Sequence, residues 1–298
     1  MLLWAVCAGL LVYLFGHAVI DVTYVTLADG RRNERTLPSM FRVLLPWVSK
    51  MTWYTRMMGA ATRKKVQQQL VMAGYDTLLT PDDIFALKVL NPLVIGSMFC
   101  ILFHYTAANL PGFVGDALRE REVFVYILLL LFLYMQPILW LKEMVKKRHK
   151  SIERALPFVL DLLTLSVEAG LDLMTGLRRI IERRNVDPLG EELIRVFREI
   201  QVGKTRREAL RSMSDRVNHT DIKSLVNAMS QADELGVSMG TILRIQAEQL
   251  RTRRFQRAEK LANQAPVKML FPLICFIFPS VFLVMLGPIF IDMVQKGF

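Results

Sequence analysis

The feature that most constrains the fold of this chain is a set of four long apolar segments that carry almost no charge. A helix of about 20 apolar residues crosses the hydrocarbon core of a bilayer, and each segment is long enough to do so. The predicted transmembrane helices are residues 1–28, 89–109, 123–141 and 267–294. The first is most apolar over Leu2–Ile20 and is predicted to run on toward Leu27. Residues 123–141 hold thirteen Leu, Ile, Val or Phe residues and no charge, which favours insertion by about 4–8 kcal/mol.

The distribution of basic residues predicts how these helices are oriented. Of 38 Lys and Arg residues, 34 lie in residues 29–88 and 142–266. Because basic residues accumulate on the cytoplasmic side of membrane spans, both regions are predicted to be cytoplasmic. Both termini and the short loop of residues 110–122 are then extracytoplasmic. This topology accounts for the net charge of +11, and no aromatic-basic interleaving or zinc-ligand spacing indicates a nucleic-acid partner.

The first basic region, residues 29–88, contains two features with a structural prediction. Residues 37–53 mix prolines and tryptophans with apolar residues and are predicted to lie in the membrane interface. Residues 62–73 are predicted to form a short helix that ends at Gly74, and Thr80 followed by Pro81 predicts the capped start of the next helix. This region is therefore expected to hold an interfacial segment and a short helix hairpin.

The second basic region, residues 142–266, is predicted to be all-α. Apolar residues recur at helical spacing through six segments, and none of the region shows the alternation typical of strands. The first helix continues from the third span, and the last is long, starting at Met239. Asp187 is predicted to cap the third helix and either Thr220 or Asp221 the fifth. The fold prediction is an all-α polytopic membrane protein with four transmembrane helices and a cytoplasmic six-helix bundle.

A short pattern recurs three times within this region. A glycine is followed two residues later by a side chain that can cap a helix, and the three glycines are spaced 33 residues apart. The pairs are Gly170 with Asp172, Gly203 with Thr205, and Gly236 with Ser238. Each glycine is predicted to take the left-handed conformation at a helix end, and each polar residue to cap the next helix. A fixed period predicts repeated helix hairpins, and the alternative is a chance alignment of ordinary hairpin ends.

Two glutamates precede the outer glycines by two residues. A carboxylate at a helix C-terminus opposes the helix dipole, so Glu168 and Glu234 are predicted either to be solvated or to have a structural partner, such as an arginine across the repeat interface. Asp161 and Asp233 could join them in an acidic patch.

A basic run follows the first glycine. It is either a solvated helix face or a docking surface for an acidic partner. Its members are Arg178, Arg179, Arg183 and Arg184.

No pattern for catalysis, cofactor binding or metal binding is found. Residues 202–205 resemble the end of a phosphate-binding loop, but Arg198 stands where that motif needs glycine. His17 and His104 lie within predicted spans and either hydrogen-bond locally or have a function there. The three cysteines are isolated within spans and are interpreted as apolar fillers. The chain is predicted not to be an enzyme and to need no cofactor.

Several motifs, in order, resemble the type II secretion system F domain. The stretch Ala-Leu-Pro-Phe-Val-Leu-Asp-Leu-Leu at 155–163, the stretch 168–171 and the stretch 231–236 carry the resemblance, as does the proline-rich closing span. The repeat and these motifs together single out Pro157, Asp161, Glu168, Gly170, Asp172, Gly203, Thr205, Glu234, Gly236, Ser238, Lys268, Pro272, Pro279, Gly287 and Pro288 as structural residues. A single such domain behind residues 73–81 is similar to the TadB and TadC proteins of tight-adherence pilus systems, and more closely to TadC.

The resemblance implies an inner-membrane platform for assembly of a type IV-like pilus. Such a protein engages a cytoplasmic hexameric secretion ATPase, a TadB-type homologue and pilin, in contact with membrane lipid and as part of a homo- or hetero-oligomer. The family's soluble domain is a six-helix bundle of two related halves. Some relatives hold a metal at an acidic surface, but no ligand set can be matched here. The alternatives are a membrane-anchored adaptor and a transporter subunit, neither catalytic; the first would need a sizeable outside domain and the second polar residues in mid-span.

Overall fold

The structure is a computed structural model, and it describes residues 23–26, 32–35, 41, 48, 60–109, 121–183 and 187–296. The helices are α1 (Ala60–Ala73), α2 (Pro81–Asn91), α3 (Ser97–Asn109), α4 (Glu122–Glu168), α5 (Leu173–Arg183), α6 (Pro188–Gln201), α7 (Arg206–Val217), α8 (Thr220–Leu235), α9 (Met239–Pro272) and α10 (Phe278–Lys296). Two π-helical turns, Pro92–Gly96 and Leu273–Ile277, join α2 to α3 and α9 to α10 without a break. The described chain is therefore dominated by long helices.

Two short strands lie near the N-terminus. Strands β1 (Thr23–Thr26) and β2 (Arg32–Arg35) pair in antiparallel register, with Thr23 opposite Arg35. The β-branched and aromatic residues of β1 favour a strand, and Asp29-Gly30 between the strands is a typical hairpin dipeptide. The prediction that the helix of residues 1–28 runs on toward Leu27 is therefore wrong for residues 23–26. The remainder of that predicted span lies outside the described residues.

Among the residues that the structure describes, three helices are long and apolar enough to cross a membrane. They are Pro81–Thr106, Glu122–Glu168 and Met239–Pro288. They contain the predicted third span and most of the predicted second and fourth spans. Both α4 and α9 extend well beyond the apolar segment into residues 142–266, here called the helical block.

The helical block has one hydrophobic core to which α4 to α9 all contribute. The periodic apolar residues of the sequence form it, for example Leu156, Leu160 and Leu163 on α4. Burial of each leucine contributes about 1.5–3 kcal/mol, so the core holds α4 and α9 together through the short helices between them. Leu243, Ala247 and Leu250 are the contribution of α9.

Helices α1 and α2 pack as a hairpin against α4 where it leaves the apolar segment. Leu70 and Ile84 are buried against Leu141, and Thr80 and Asp83 form a reciprocal capping box at the start of α2. These residues form a second hydrophobic core, which holds the α1–α2 hairpin of the first basic region against α4.

The segment predicted to be interfacial is described at only two positions. Phe41 and Val48 are both buried against α2, and the Phe41 ring lies edge-on to Trp140 at 5.2 Å between centroids. These two side chains pack within the protein, because α2 and α4 offer them an apolar surface.

The caps of the helical block follow the predictions at three of five helix starts. Asp172 accepts a hydrogen bond from the Met174 backbone N–H, Asp187 from Gly190, and Thr205 from Glu208. Two cap predictions are wrong. His219, rather than Thr220 or Asp221, caps α8, because its Nδ1 accepts from the Asp221 N–H. Ser238 makes no side-chain cap bond to α9.

Candidate functional site

The two helices that join the helical block to candidate spans are tied to each other by a ladder of ion pairs. Arg244 Nη2 lies 2.6 Å from Glu168 Oε1, and Arg251 Nη2 lies 2.8 Å from Asp161 Oδ1. Further along, Arg257 pairs with Glu153. Residue numbers rise on α9 as they fall on α4, so the two helices run antiparallel. The ladder borders the apolar seam of Leu243, Ala247 and Leu250, and together they join α4 and α9 along one side of the block.

The three repeat glycines have the predicted conformation. Their φ angles are 87° at Gly170, 103° at Gly203 and 63° at Gly236. Each ends a helix that runs away from the candidate spans, so the three loops lie at the far end of the helical block, here called the distal end. A Cβ added to Gly240 would lie 3.6 Å from Val167 Cγ1, which places the first and third loops side by side.

Ion pairs also join the second loop to the third. Arg206 pairs with Asp233, and Arg207 Nη1 lies 2.9 Å from Glu234 Oε1. The hypothesis that Glu168 and Glu234 have arginine partners therefore agrees with the structure, although the partners, Arg244 and Arg207, are not repeat-related.

The predicted acidic patch does not form as a bare cluster. Each of its four members has an arginine within ion-pair distance: Asp161, Glu168, Asp233 and Glu234. Within the described ranges, no group of three His, Cys, Asp or Glu residues has the geometry to hold a metal ion.

The distal end also exposes apolar side chains. Val202 and Leu235, each directly before a repeat glycine, are 81% and 77% exposed. Val237 is exposed beside them. Exposed apolar groups at a rigid loop cluster are suited to contact another protein.

The described part of the basic run lies on α5 and faces solvent. Arg178, Arg179 and Arg183 are exposed, and Arg178 Nε donates a hydrogen bond of 2.8 Å to Glu182 on the same helix. Arg184 lies outside the described residues. The structure leaves this face available to a partner.

At the opposite end of the block, a buried arginine joins α4 to α6. Arg148 is 6% exposed, with Nη1 2.9 Å from Glu191 Oε2 and Nη2 3.0 Å from Glu192 Oε1. Sequence reasoning counted Arg148 only as one of the basic residues of 142–266 and missed this role. A signal was present, because Arg148 lies four and seven residues before the buried Ile152 and Ala155 and so shares their helix face.

The buried network continues into α7. Arg216 Nε lies 3.0 Å from Glu192 Oε2, and Arg216 Nη1 lies 2.5 Å from Glu199 Oε1. Burial opposes ionisation of Glu199, but Lys204 and Arg216 outweigh it and hold the pKa of this carboxyl below its ordinary value. Glu192 therefore bridges two arginines from different helices, and α4, α6 and α7 are joined by charge as well as by the core.

Two histidines adjoin this network. His149 Nε2 lies 2.7 Å from the Val217 carbonyl oxygen, and the His149 and His219 rings are 5.3 Å apart. Burial lowers the pKa of His149, and electrostatic repulsion from its neighbours His219 and Arg148 lowers it further, against the Val217 hydrogen bond. The neutral form of His149 is therefore favoured at the junction of α4, α7 and α8.

The first two candidate spans, Pro81–Thr106 and Glu122–Glu168, pack against each other as an antiparallel hairpin. Asn91 Nδ2 donates a 3.0 Å hydrogen bond to the Leu133 carbonyl, which lacks its helical donor because Pro137 has no N–H. Asn91 also donates to Gln136 Oε1 at 2.7 Å. A Cβ at Gly96 would lie 2.7 Å from Leu130 Cδ2, so the helices approach closely at this glycine.

The outer end of this hairpin is joined by polar side chains. His104 Nδ1 lies 2.7 Å from Glu122 Oε1, and Tyr126 donates a 3.1 Å hydrogen bond to the Cys100 carbonyl. His104 thus hydrogen-bonds locally, one of its two predicted alternatives, whereas His17 lies outside the described residues.

The last candidate span behaves differently. None of the most apolar stretch of this span is buried inside the chain. Phe255 and Leu261, which precede that stretch on α9, are 73% and 60% exposed. Among the described residues, α9 and α10 leave the helical block without packing on the hairpin of the other two spans. The hairpin includes part of α4, whereas the last span is joined to the helical block through the ladder and the apolar seam of α9.

Comparison with known proteins gives one match. Residues 159–287 match the family model described as Type II secretion system (T2SS), protein F. No curated protein and no solved structure matches. The matched stretch runs from the α4 part of the core, through the ladder and the distal end, to Gly287 in the last span. The match supports membership of the type II secretion system protein F family for residues 159–287.

Proposed function

We propose that this chain is an inner-membrane platform protein of a tight-adherence, type IV-like pilus machine, of the TadC type. It couples a cytoplasmic hexameric ATPase to extraction of pilin from the bilayer and assembly of the fibre. The family match supports the coarser function, a membrane platform of a secretion or pilus-like system. The presence of a single such family domain after the α1–α2 hairpin supports the more specific function, that of a TadC-type protein. In this proposal Leu2–Ile20 is a fourth span, both termini are extracytoplasmic, and the helical block is a cytoplasmic six-helix bundle.

The observation that carries the proposal is the continuity of α4 and α9 from the helical block into the candidate spans. From Leu141 to Glu168, α4 extends about 40 Å beyond the apolar segment at 1.5 Å per residue. The ladder and the core join α4 to α9, so a force on the distal end turns the block as one body. The span hairpin moves with α4. The last span does not pack on that hairpin, so its position relative to the hairpin changes. Pilin would be displaced at these span surfaces.

The same features favour a mechanical role over the two alternatives. A transporter would need a polar path across the membrane, whereas Asn91, the buried polar side chain of the span hairpin, donates its hydrogen bonds within the hairpin, to the Leu133 carbonyl and to Gln136. A membrane-anchored adaptor would not need two continuous helices joined by charge along their length. A TadB-type homologue, further copies of this chain and membrane lipid are the proposed neighbours of the exposed last span.

The ATPase contact is tested at the basic face of α5. Reversing Arg178, Arg179 and Arg183 to Glu is expected to remove co-purification of the ATPase from solubilised membranes, because the docking surface for an acidic partner is inverted. A matched variant reverses the exposed Arg198, Arg211 and Lys223, on α6, α7 and α8, and is expected to retain the ATPase. Equal retention by both variants would remove the α5 face from the interface.

The platform role itself is tested by crosslinking in native membranes. A photo-crosslinker at Leu235 on the distal end is expected to capture the ATPase, and one at Phe282 on the last span to capture pilin or the homologous platform protein. Capture of neither class at either position would contradict the proposed function.

A further inference from the structure

We propose that residues 251–257 of α9, here called the strap, are a releasable attachment between the helical block and the last candidate span. The strap is held to the block by polar bonds. Its catch is the pair of hydrogen bonds from Arg254 to two backbone carbonyls of α4 near Pro157. When the catch opens, α9 pivots at the end of the apolar seam and the last span moves relative to the block. This attachment does not depend on pilus assembly or on the proposed partners.

The strap begins where the apolar seam of α9 ends. The seam residues Leu243, Ala247 and Leu250 recur every three or four residues and are buried in the core. The same spacing continues through Arg254 and Arg257. These two arginines therefore take the positions facing α4 at which further apolar residues would extend the seam. All residues of the strap are exposed, so the attachment of α9 changes from apolar to polar after Leu250.

The catch binds a feature of α4 that Pro157 creates. Pro157 lies inside α4 and is buried. Because proline has no N–H and its ring clashes with the carbonyl four residues earlier, the Glu153 carbonyl lacks its usual helical donor. Arg254 Nη2 donates to this carbonyl at 2.7 Å and to the Arg154 carbonyl at 2.9 Å. A carbonyl in a regular helix already accepts a bond from its own helix, so the catch favours this one register of α9 on α4.

The other polar bonds of the strap are ion pairs of exposed arginines. Two of them are the ladder pairs of Arg251 and Arg257, and a third joins Arg253 Nη1 to Asp221 Oδ1 on α8 at 2.8 Å. Exposed pairs are individually weak and are screened by salt. On release, water can solvate the arginines and their partners. Detachment of the strap therefore exposes no apolar core, whereas detachment of the seam would expose Leu243.

Release acts on the last span through the part of α9 that lies beyond the seam. Leu261 lies eleven residues after Leu250, which is about 16 Å along a helix. A tilt of about 20° at the end of the seam, the size of an ordinary helix kink, displaces Leu261 by about 6 Å from α4. The closed strap thus sets the direction in which α9 enters the last span, and the open strap permits a second direction.

The test measures the distance between spin labels at Leu261 and at the exposed Lys150 of α4, in the full chain in detergent without its three native cysteines. Arg254→Met is expected to raise the ratio of the long to the short distance at least about tenfold, since the catch uses a charged donor. Salt at about 1 M is expected to raise it further, because it screens the ion pairs. Pro157→Ala is expected to act in the same direction, because the N–H restored at position 157 competes for the Glu153 carbonyl. The matched control, Arg244→Met, removes a ladder pair beside the apolar seam and is expected to keep the short distance.

Each other outcome contradicts the proposal. A short distance in Arg254→Met at low and high salt would show that the strap does not detach. An effect of Arg254→Met without one of Pro157→Ala would exclude the carbonyls as the catch, and equal lengthening by Arg244→Met would show that the seam gives way as well. Pro157→Ala guards against a folding artefact, because it keeps every charge and introduces a good helix former. The distance is read in the isolated chain, so its failure is distinct from failure of the crosslinking that tests the platform role.

Discussion

Arg148 is a buried cation that holds two buried carboxylates from α6, so its removal leaves Glu191 and Glu192 without compensation. We expect Arg148→Met to lower the free energy of unfolding by about 3–5 kcal/mol. The measurement is denaturant unfolding of the full chain in detergent, followed by circular dichroism. Lys147→Met is the matched control, because Lys147 is exposed and, within the described part of the chain, pairs with Glu143 on the same helix, an interaction worth about 0.3–0.5 kcal/mol.

A second variant separates lost charge balance from lost packing. Combining Arg148→Met with Glu191→Gln and Glu192→Gln removes the uncompensated carboxylates, so we expect it to recover part of the stability. An Arg148→Met variant as stable as the Lys147→Met control would mean that the buried network does not stabilise the junction.

His149 gives the junction a predicted pH dependence. Its pKa in the folded chain is below its ordinary value of 6.5, so the unfolded chain binds more protons between the two values. The stability that comes from neutral His149 is thus fully present above pH 6.5 and is lost as the pH falls through the folded pKa. We expect the midpoint of thermal unfolding to fall more between pH 7 and 5 for the wild type than for His149→Gln, which can still donate to the Val217 carbonyl. Parallel pH profiles would contradict this assignment.

At the level of helices and loops, Gly236 tests the repeat. Its φ of 63° is left-handed, and an added Cβ meets no atom within 4 Å, so any cost of substitution arises from the backbone alone. Gly236→Ala is expected to lower the free energy of unfolding by about 1–2 kcal/mol, and Gly236→Asn by less, since Asn tolerates this conformation. Chemical denaturation of both variants measures the difference. Equal costs for Ala and Asn would indicate that a contact, rather than the backbone, sets the requirement for glycine.

The elements that sequence reasoning predicted well are those fixed by local chemistry. Thr80, Asp187 and Thr205 bond to backbone groups three residues away, and the left-handed glycines end their own helices. The missed contacts join residues far apart in the chain. Arg148 meets Glu191 and Glu192 only because the core brings α4 and α6 together, and Asn91 meets the Leu133 carbonyl only because two spans pack where Pro137 leaves it free. Helix phase was enough to place Arg148 on the core face, a signal that sequence reasoning missed, but it could not have named the partners of Arg148.

For the whole molecule, the proposed transmission of force depends on the rigidity of α9 between the ladder and the last span. Inserting four glycines between Leu261 and Ala262 places flexible residues in an exposed part of the helix, beyond the Arg257–Glu153 pair. Each glycine disfavours helix by about 1 kcal/mol relative to alanine. We expect the glycine insertion to reduce pilus assembly at least tenfold in cells, with membrane insertion and ATPase co-purification unchanged.

An insertion of four alanines at the same position is the matched control, because it adds the same length and keeps the helix. It displaces the last span by about 6 Å along the helix axis and rotates it by about 40°. We therefore expect the alanine insertion to reduce pilus assembly, but to reduce it less than the glycine insertion does. If the two insertions impair assembly equally, length and rotation matter rather than stiffness. If neither impairs it, force does not pass through α9, and α4 with its attached hairpin is left as the sole continuous path from the helical block to the membrane among the described residues.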